Sequence, residues 1–229
     1  MRWLMTFLAV LMTAWVGEAT CGEVAVETSD IITVLQRSHR LRLDAMTTAQ
    51  DSSPRAQRVR ATFDALARSL PSAPAVELVV VNGHTLTETL HGNVIVANEA
   101  LGDLPEGERL FFLAHEFGHV MLAHWPQMGL LYRRWVPGSV TRQQTDAIAG
   151  RLGIEASALA HRQEFEADAF GLRALLAQGM TEQDAVNGFV RLGVRGETVT
   201  HPSTRKRVAA LRDLVSEDSL APTLLANER

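Results

Sequence analysis

Residues 113–125 read LAHEFGHVMLAHW, a stretch in which two histidines stand four positions apart and a glutamate follows the first. On an α-helix, residues four apart lie one turn above one another, so His115 and His119 can present ring nitrogens to one ion. Glu116 borders the same helix face and can address a water bound to that ion. This is the HExxH pattern of zinc hydrolases, and it predicts a helix that carries a catalytic zinc site.

The helix that carries this motif is apolar on nearly all sides, which is typical of a buried helix. Its apolar residues are Phe111, Phe112, Leu113, Phe117, Val120, Met121 and Leu122. The alternative interpretation is a solvated helix face without a metal. Burying two histidines and a glutamate without partners costs free energy, and a bound metal ion removes that cost.

A catalytic zinc needs three protein ligands and one open position. Trp125 stands six residues after His119, where a metzincin carries its third histidine, so that class is excluded. His124 stands about 140° around the helix from His119. We therefore expect His124 to point away from the metal, as a packed or surface residue.

A better source for the third ligand is the helix predicted over residues 161–178. Glu164 and Asp168 share one face of that helix, whereas Glu166 lies on a different side. If Glu164 binds the metal, Asp168 can accept the free ring N–H of a ligand histidine. The alternative for Glu164 and Glu166 is a solvated helix surface.

The remaining sequence predicts a mostly helical α+β domain with a small β-sheet. Further helices are predicted over residues 30–46, 54–70, 143–160, 181–192 and 203–216, and strands over Val76–Val81 and Asn93–Asn98, with residues 84–91 ambiguous. Asp103 and Glu106 resemble a capping box for the motif helix, and Pro126 is predicted to end it.

Two segments near the motif are predicted to handle substrate. The strand Asn93–Asn98 precedes the motif helix and is expected to be an exposed edge that binds the substrate backbone by strand addition. An ordinary core strand is the alternative. Residues 126–145 are expected to form a lid or specificity loop, although Tyr132 and Trp135 in it could be plain packing residues.

Composition limits the partners and the kind of metal site. The chain has 229 residues and a formal net charge of −4, without the basic excess of a nucleic-acid-binding protein. Cys21 is the only cysteine, so the fold has no internal disulfide and any metal is held by histidine and carboxylate.

The first 19 residues predict a signal peptide. Arg2 precedes an apolar run from Trp3 to Val16 that is short for a membrane span, and small residues favour cleavage after Ala19. An uncleaved anchor and a lipoprotein modified at Cys21 are the alternatives. We expect residues 20–218 to form one domain, followed by a tail over 219–229. The mature protein is expected to be exported, periplasmic or secreted, with no transmembrane segment and with peripheral membrane association left open.

Three motifs in order resemble family forty-eight of the metallopeptidases, which includes the HtpX-like, CAAX-prenyl-endopeptidase-like and Oma-type enzymes. They are HEFGHVMLAH from residue 115, EFEADAFG from residue 164 and THPSTRKRVAAL from residue 200. The resemblance covers roughly residues 75–215. It implies a gluzincin in which His115, His119 and Glu164 hold one Zn²⁺ per chain and Glu116 is the catalytic base.

The resemblance also implies that His201, in the third motif, faces the zinc. It can donate a hydrogen bond to the developing oxyanion, or it can fill the open position on zinc and block the enzyme. We favour the donor role. The membrane-embedded relatives carry transmembrane helices, so their substrates are not transferred to this chain.

We therefore expect a zinc-dependent endopeptidase. It would hydrolyse peptide bonds of exported or membrane-associated proteins, in protein quality control, with polypeptides as its partners. The alternatives are a zinc-binding regulator or chaperone-like protein with low turnover, and a metal hydrolase that acts on a non-peptide bond. The oligomeric state and the cleavage preference are not indicated by the sequence.

Overall fold

The computed structural model describes residues 29–226, with side chains described as far as residue 216. The predicted signal peptide and Cys21 lie outside the described residues, as does the end of the predicted tail, residues 227–229. None of the helices in the described part of the chain combines the length and the apolar character needed to cross a membrane.

The structure confirms the predicted class, a mostly helical α+β domain with a small sheet. The helices are α1 (Ile31–Asp44), α2 (Pro54–Ser69), α3 (Glu106–Met121), α4 (His124–Trp135), α5 (Arg142–Ala177), α6 (Glu182–Arg191) and α7 (Thr204–Ala226), with a 3-10 helix at Glu99–Asp103. The strands are β1 (Thr47–Thr48), β2 (Glu77–Asn82), β3 (Thr87–Leu90) and β4 (Val94–Asn98).

The strands form one sheet in the order β1-β2-β4-β3, so β4 is an inner strand. It pairs in parallel with β2 and antiparallel with β3, and all five of its residues are buried. Val96 packs on one face of the sheet and Ile95 on the other, which explains the uninterrupted apolar run. The prediction that residues 93–98 form an exposed edge is therefore wrong. The strand at that edge of the sheet is β3.

Helix α3 runs through the core, with large side chains such as Phe111 and Phe117 buried around it. Its most extensive contact is with α5, and two glycines allow these helices to approach closely. A Cβ at Gly118 would lie 3.1 Å from the Cα of Ala167, and one at Gly171 would lie 3.2 Å from the backbone nitrogen of His115. The close approach sets residues of α5 directly over the HExxH motif.

The motif helix ends earlier than the sequence predicts. α3 stops at Met121, Ala123 adopts the left-handed conformation with φ 54° and ψ 42°, and α4 begins at His124. Pro126 then lies in the first turn of α4, where a missing backbone N–H is tolerated. The prediction that Pro126 ends the motif helix is wrong, because the chain turns before it.

Three further predictions about this helix and its neighbours differ from the structure. Pro105, rather than Asp103, occupies the N-cap position of α3, and Asp103 pairs with Arg55 at 2.8 Å. The segment predicted as the loop 126–145 is mostly helical, since α4 covers its first half and α5 begins at Arg142. The helices predicted separately over 143–160 and 161–178 form the single helix α5.

Candidate metal centre

Three side chains predicted as zinc ligands converge between α3 and α5. His115 Nε2 and His119 Nε2 lie 3.2 Å apart, as the one-turn spacing on α3 predicts. Glu164 of α5 places Oε1 3.4 Å from His119 Nε2 and Oε2 3.6 Å from His115 Nε2. Ligands at about 2.0–2.1 Å from a tetrahedral zinc are about 3.4 Å apart, so the three groups have the separations that zinc requires.

The state of Glu164 supports the same conclusion. Its Oε2 is buried, and although Arg207 Nη1 lies 3.0 Å away, none of the described residues donates an aligned hydrogen bond to it. A buried carboxylate oxygen without a hydrogen bond is costly, and a cation between Glu164 and the two imidazoles would remove that cost. Two imidazoles and a carboxylate are also a common ligand set for catalytic zinc. The residues therefore fit the ion.

The second nitrogen of His115 is held from the protein interior. His115 Nδ1 lies 2.9 Å from Asp168 Oδ1, as expected for a residue one turn after Glu164. Arg207 of α7 donates to both oxygens of Asp168, at 2.6 and 2.7 Å. Asp168 is 1% exposed, so the protein encloses its contacts with His115 and Arg207.

The charges in this cluster shift one another's ionisation. Burial would raise the pKa of Glu164 and Asp168. At Glu164 the hydrogen bond with His119 and the charges of His115 and Arg207 offset burial, and at Asp168 Arg207 and His115 do so. Glu164 therefore keeps a pKa well below its usual range, and the pKa of Asp168 is also lowered. Burial would lower the pKa of His115, yet Asp168 and Glu164 raise it above its ordinary value.

The second nitrogen of His119 faces a different partner, His124. His124 Nδ1 lies 2.9 Å from His119 Nδ1, and His124 Nε2 lies 3.2 Å from Glu166 Oε2. The expectation that His124 points away is wrong, because the left-handed turn at Ala123 brings it back toward the metal ligands. Burial and the charges of His119 and His115 lower the pKa of His124 to about 4, so it is neutral at pH 7.

Glu116, the predicted base, is 5% exposed and points toward β3. Thr89 Oγ1 donates to Glu116 Oε2 at 2.7 Å and also contacts the backbone oxygen of Glu116 at 3.1 Å. The edge strand therefore fixes the orientation of this carboxylate beside the ligand histidines.

A cleft of about 430 Å³ opens onto the metal centre and is lined by His115, Glu116 and Glu164. The cleft is also lined by residues 84–87, before and at the start of β3, and by several of the residues 193–203, between α6 and α7, which we call the cleft loop. His201 of the cleft loop is 57% exposed and places Nε2 3.7 Å from Glu164 Oε1. The structure thus brings His201 to the site, as the sequence predicts.

The predicted lid is in the wrong part of the chain. Within the described residues, none of the segment 126–145 lines this cleft; Trp135 of that segment donates to Glu155 at 3.2 Å, which is a packing contact. The cleft loop occupies the position expected of the lid.

Sequence analysis missed three residues that contact the site: Thr89, His124 and Arg207. Thr89 lies in the ambiguous segment, and His124 was assigned by extending an ideal helix. Arg207 stands six residues after His201 in the third motif, and only its place in that motif pointed to it. Their contacts with the site depend on how the helices and the strand that carry them pack together.

Comparison with known proteins agrees with this architecture. The family model described as Peptidase family M48 matches residues 53–215. The crystal structure of Ste24p from S. mikatae is similar, with a TM-score of 0.53 and 15% sequence identity over 79% of this chain and 56% of that chain. At this identity the likeness shows the fold, and the chain spans little more than half the length of that protein. No curated protein matches the chain.

Proposed function

The chain belongs to peptidase family M48, and we propose that it is a zinc-dependent endopeptidase acting on polypeptides. The observation that carries this proposal is the convergence of His115, His119 and Glu164, whose ligand atoms all lie within 4.8 Å of one another. Glu116 beside them supplies the proton acceptor that hydrolysis needs. One zinc per chain is supported by the single cluster of this kind among residues 29–216, the part of the chain with described side chains.

When bound, zinc would lower the pKa of a coordinated water and polarise the peptide carbonyl. Glu116 then accepts a proton from the attacking water and returns it to the leaving amine. The hydrogen bond from Thr89 holds one carboxylate oxygen and leaves the other free for this transfer. Burial of Glu116 keeps bulk water from competing for the proton.

We propose the donor role for His201. Its Nδ1 lies 2.8 Å from the hydroxyl of Thr200, which can donate to it and leave the ring proton on Nε2. Nε2 faces the ligand side of the cleft, where an oxyanion would develop, and a hydrogen bond there stabilises the transition state. The plug role would instead require an unprotonated Nε2.

Substrate binding is best supported along β3 rather than β4. β3 ends the sheet, and residues 85–87 at its start line the cleft. An extended peptide that pairs with an edge strand gains backbone hydrogen bonds without a requirement for a particular sequence. Because Thr89 of β3 contacts Glu116, a peptide paired with β3 would run close to the Glu116 carboxylate.

We propose further that the substrates are exported or membrane-associated proteins and that the role is in protein quality control. Support for export comes from the signal-peptide pattern of residues 1–19, and a periplasmic or secreted location stays a prediction. An open cleft bordered by an edge strand suits unfolded polypeptides.

The test is Glu116→Gln in the mature protein, with zinc content and cleavage of an unfolded protein measured together. We expect zinc to stay bound while turnover falls by about 10²–10⁴. Glu106→Gln, at an exposed position on the same helix, is the matched control and should leave both unchanged.

Activity that survives Glu116→Gln would remove Glu116 as the base. A wild-type protein that binds zinc but cleaves no unfolded polypeptide would favour the alternative of a zinc-binding regulator or chaperone-like protein.

A further inference from the structure

The two ligand histidines are supported by different chemistry. Asp168 holds His115 through a carboxylate, which can only accept a hydrogen bond. His119 instead contacts a second imidazole, His124, whose nitrogen can either donate or accept. Whether His124 Nδ1 donates or accepts therefore depends on the other ring nitrogen, Nε2, which lies 3.2 Å from Glu166 Oε2.

Only one arrangement of protons satisfies these contacts when His119 offers Nε2 to a metal. Its ring proton must then be on Nδ1, which donates to His124 Nδ1 at 2.9 Å. His124 consequently carries its own proton on Nε2 and donates it to the carboxylate of Glu166. The carboxylate thus determines the tautomer of His124, and His124 determines that of His119.

The position of His124 is held by the fold. It is 3% exposed, and the left-handed residue Ala123 turns it toward α3. Gln163 of α5, itself 5% exposed, donates to the backbone oxygen of His124 at 3.2 Å. A buried amide on the ligand-bearing helix therefore fixes the backbone that presents this imidazole to His119.

We propose that His124 and Glu166 are positioning residues that fix the tautomer and ring orientation of His119 for zinc binding. This inference rests on the proposed zinc-dependent function. A partner of this kind keeps a ligand nitrogen unprotonated and aimed at the ion, and its loss typically weakens metal binding by about 10–100-fold.

The test compares His124→Leu with His124→Asn, by zinc affinity in competition with a chelator and with circular dichroism as the check of folding. Leucine fills the volume but offers no acceptor, so we expect zinc binding to weaken about tenfold. Asparagine places a carbonyl oxygen near the position of the lost Nδ1 and should restore affinity to within about threefold. His39→Leu, a half-buried histidine outside the site, is the control and should bind zinc like the wild type.

A role in packing alone predicts the opposite order, because asparagine is smaller and more polar than leucine in a buried site. Zinc affinity of His124→Asn at or below that of His124→Leu would overturn the proposal, as would wild-type affinity in His124→Leu. Failure of the wild type itself to bind zinc would contradict the proposed function, which separates the two outcomes.

A second cycle tests the same chain of contacts should His124→Leu fail to fold. Glu166→Ala is expected to weaken zinc binding by about two- to tenfold in the wild-type background, the effect of one hydrogen bond. It should have no effect in the His124→Asn background, because asparagine no longer needs Glu166 to set a tautomer. Equal losses in both backgrounds would show that Glu166 acts on the metal by another route.

Discussion

The two sides of the metal centre are built differently. On the packed side, Glu164 and Asp168 are buried between α3, α5 and α7, and Arg207 contacts both carboxylates. On the open side, the exposed His201 faces the same ion position from a loop. The proposed metal ligands and the base Glu116 lie on helices, whereas the other groups that we expect to meet a substrate lie on an edge strand and a loop.

This difference suggests a division of labour. We expect the packed side to bind the metal with little rearrangement, because Asp168 and Arg207 already hold the ligand His115 and the carboxylate of Glu164 in place. We expect the open side to bind the polypeptide, because its exposure allows the cleft to admit an extended chain. If the division is correct, substitutions on one side should change zinc affinity and those on the other should change turnover.

The largest effect is expected for Glu164→Ala on the packed side. Structural zinc binding of about 10–16 kcal/mol shared among four ligands gives about 3 kcal/mol for each, or about 10²-fold or more in affinity. Chelator competition measures this loss, with Glu155→Ala elsewhere on α5 as the control. Undiminished zinc affinity would exclude Glu164 as a ligand and would contradict the assignment of metal binding to the packed side.

His201→Ala tests the open side. We expect turnover to fall by about 10²–10³, the usual loss for one oxyanion donor, while zinc affinity stays at the wild-type level. The plug role predicts the reverse, with higher basal proteolysis and self-cleavage. Steady-state kinetics beside a zinc titration distinguish the two, and wild-type values in both assays would exclude either role.

Asp168→Ala should have a milder effect on the packed side than Glu164→Ala. Loss of the partner of His115 is expected to weaken zinc binding by about 10–100-fold. Asp168→Asn retains an acceptor for His115 Nδ1 and should recover part of that loss. A larger effect than that of Glu164→Ala would mean that Asp168 supports the fold rather than the metal, which thermal unfolding of the metal-free protein would reveal.

Zinc affinity should also depend on pH, because zinc must displace protons from its histidine ligands. Asp168 and Glu164 raise the pKa of His115 above its ordinary value of about 6.5, so protonation competes already above that pH. Zinc affinity is then at its maximum above the raised pKa of His115 and falls by up to about tenfold per pH unit below that pKa. Asp168→Asn should move this onset to lower pH; an unchanged onset would exclude Asp168 as its cause.

The packed side could be predicted from sequence further than the open side. The spacing of His115, Glu116 and His119 on one helix determines their relation, and a second helix with Glu164 and Asp168 on one face supplies the rest. Regular helices repeat their geometry, so spacing converts directly into position.

The errors of prediction occur where the backbone leaves that regularity. An ideal helix sends His124 away from the metal, and one left-handed residue, Ala123, reverses its direction; alanine adopts that conformation rarely, so the sequence gives little warning. The apolar run of β4 shows burial but not that β3 would lie outside it. The length of a loop does not show whether it reaches the cleft. The sequence therefore favoured residues 126–145 as the lid, whereas several of the residues 193–203 line the cleft.

The smallest effect is expected from His161→Ala, and it tests where the two sides meet. His161 lies on α5, three residues before Glu164, yet its Nε2–H donates to the backbone oxygen of Thr198 in the cleft loop at 2.7 Å. The loop closes through a hydrogen bond from Thr198 N to the backbone oxygen of His201 at 2.9 Å. His161 therefore anchors the loop that presents His201. Its loss should reduce kcat/KM by about two- to tenfold, the value of one hydrogen bond, and leave zinc affinity unchanged.

The control for this anchor is Lys206→Ala, which removes an exposed ion pair with Glu197 at the same loop and should change little. Reduced zinc affinity in His161→Ala would show that the cleft loop helps to hold the metal, so that the two sides are not independent. Unchanged kcat/KM would show that the hydrogen bond to Thr198 does not control the position of His201. We expect kcat/KM to fall while zinc affinity stays unchanged, although His161 lies on the helix that carries Glu164. That result would show that residues of one helix can serve different sides of the metal centre.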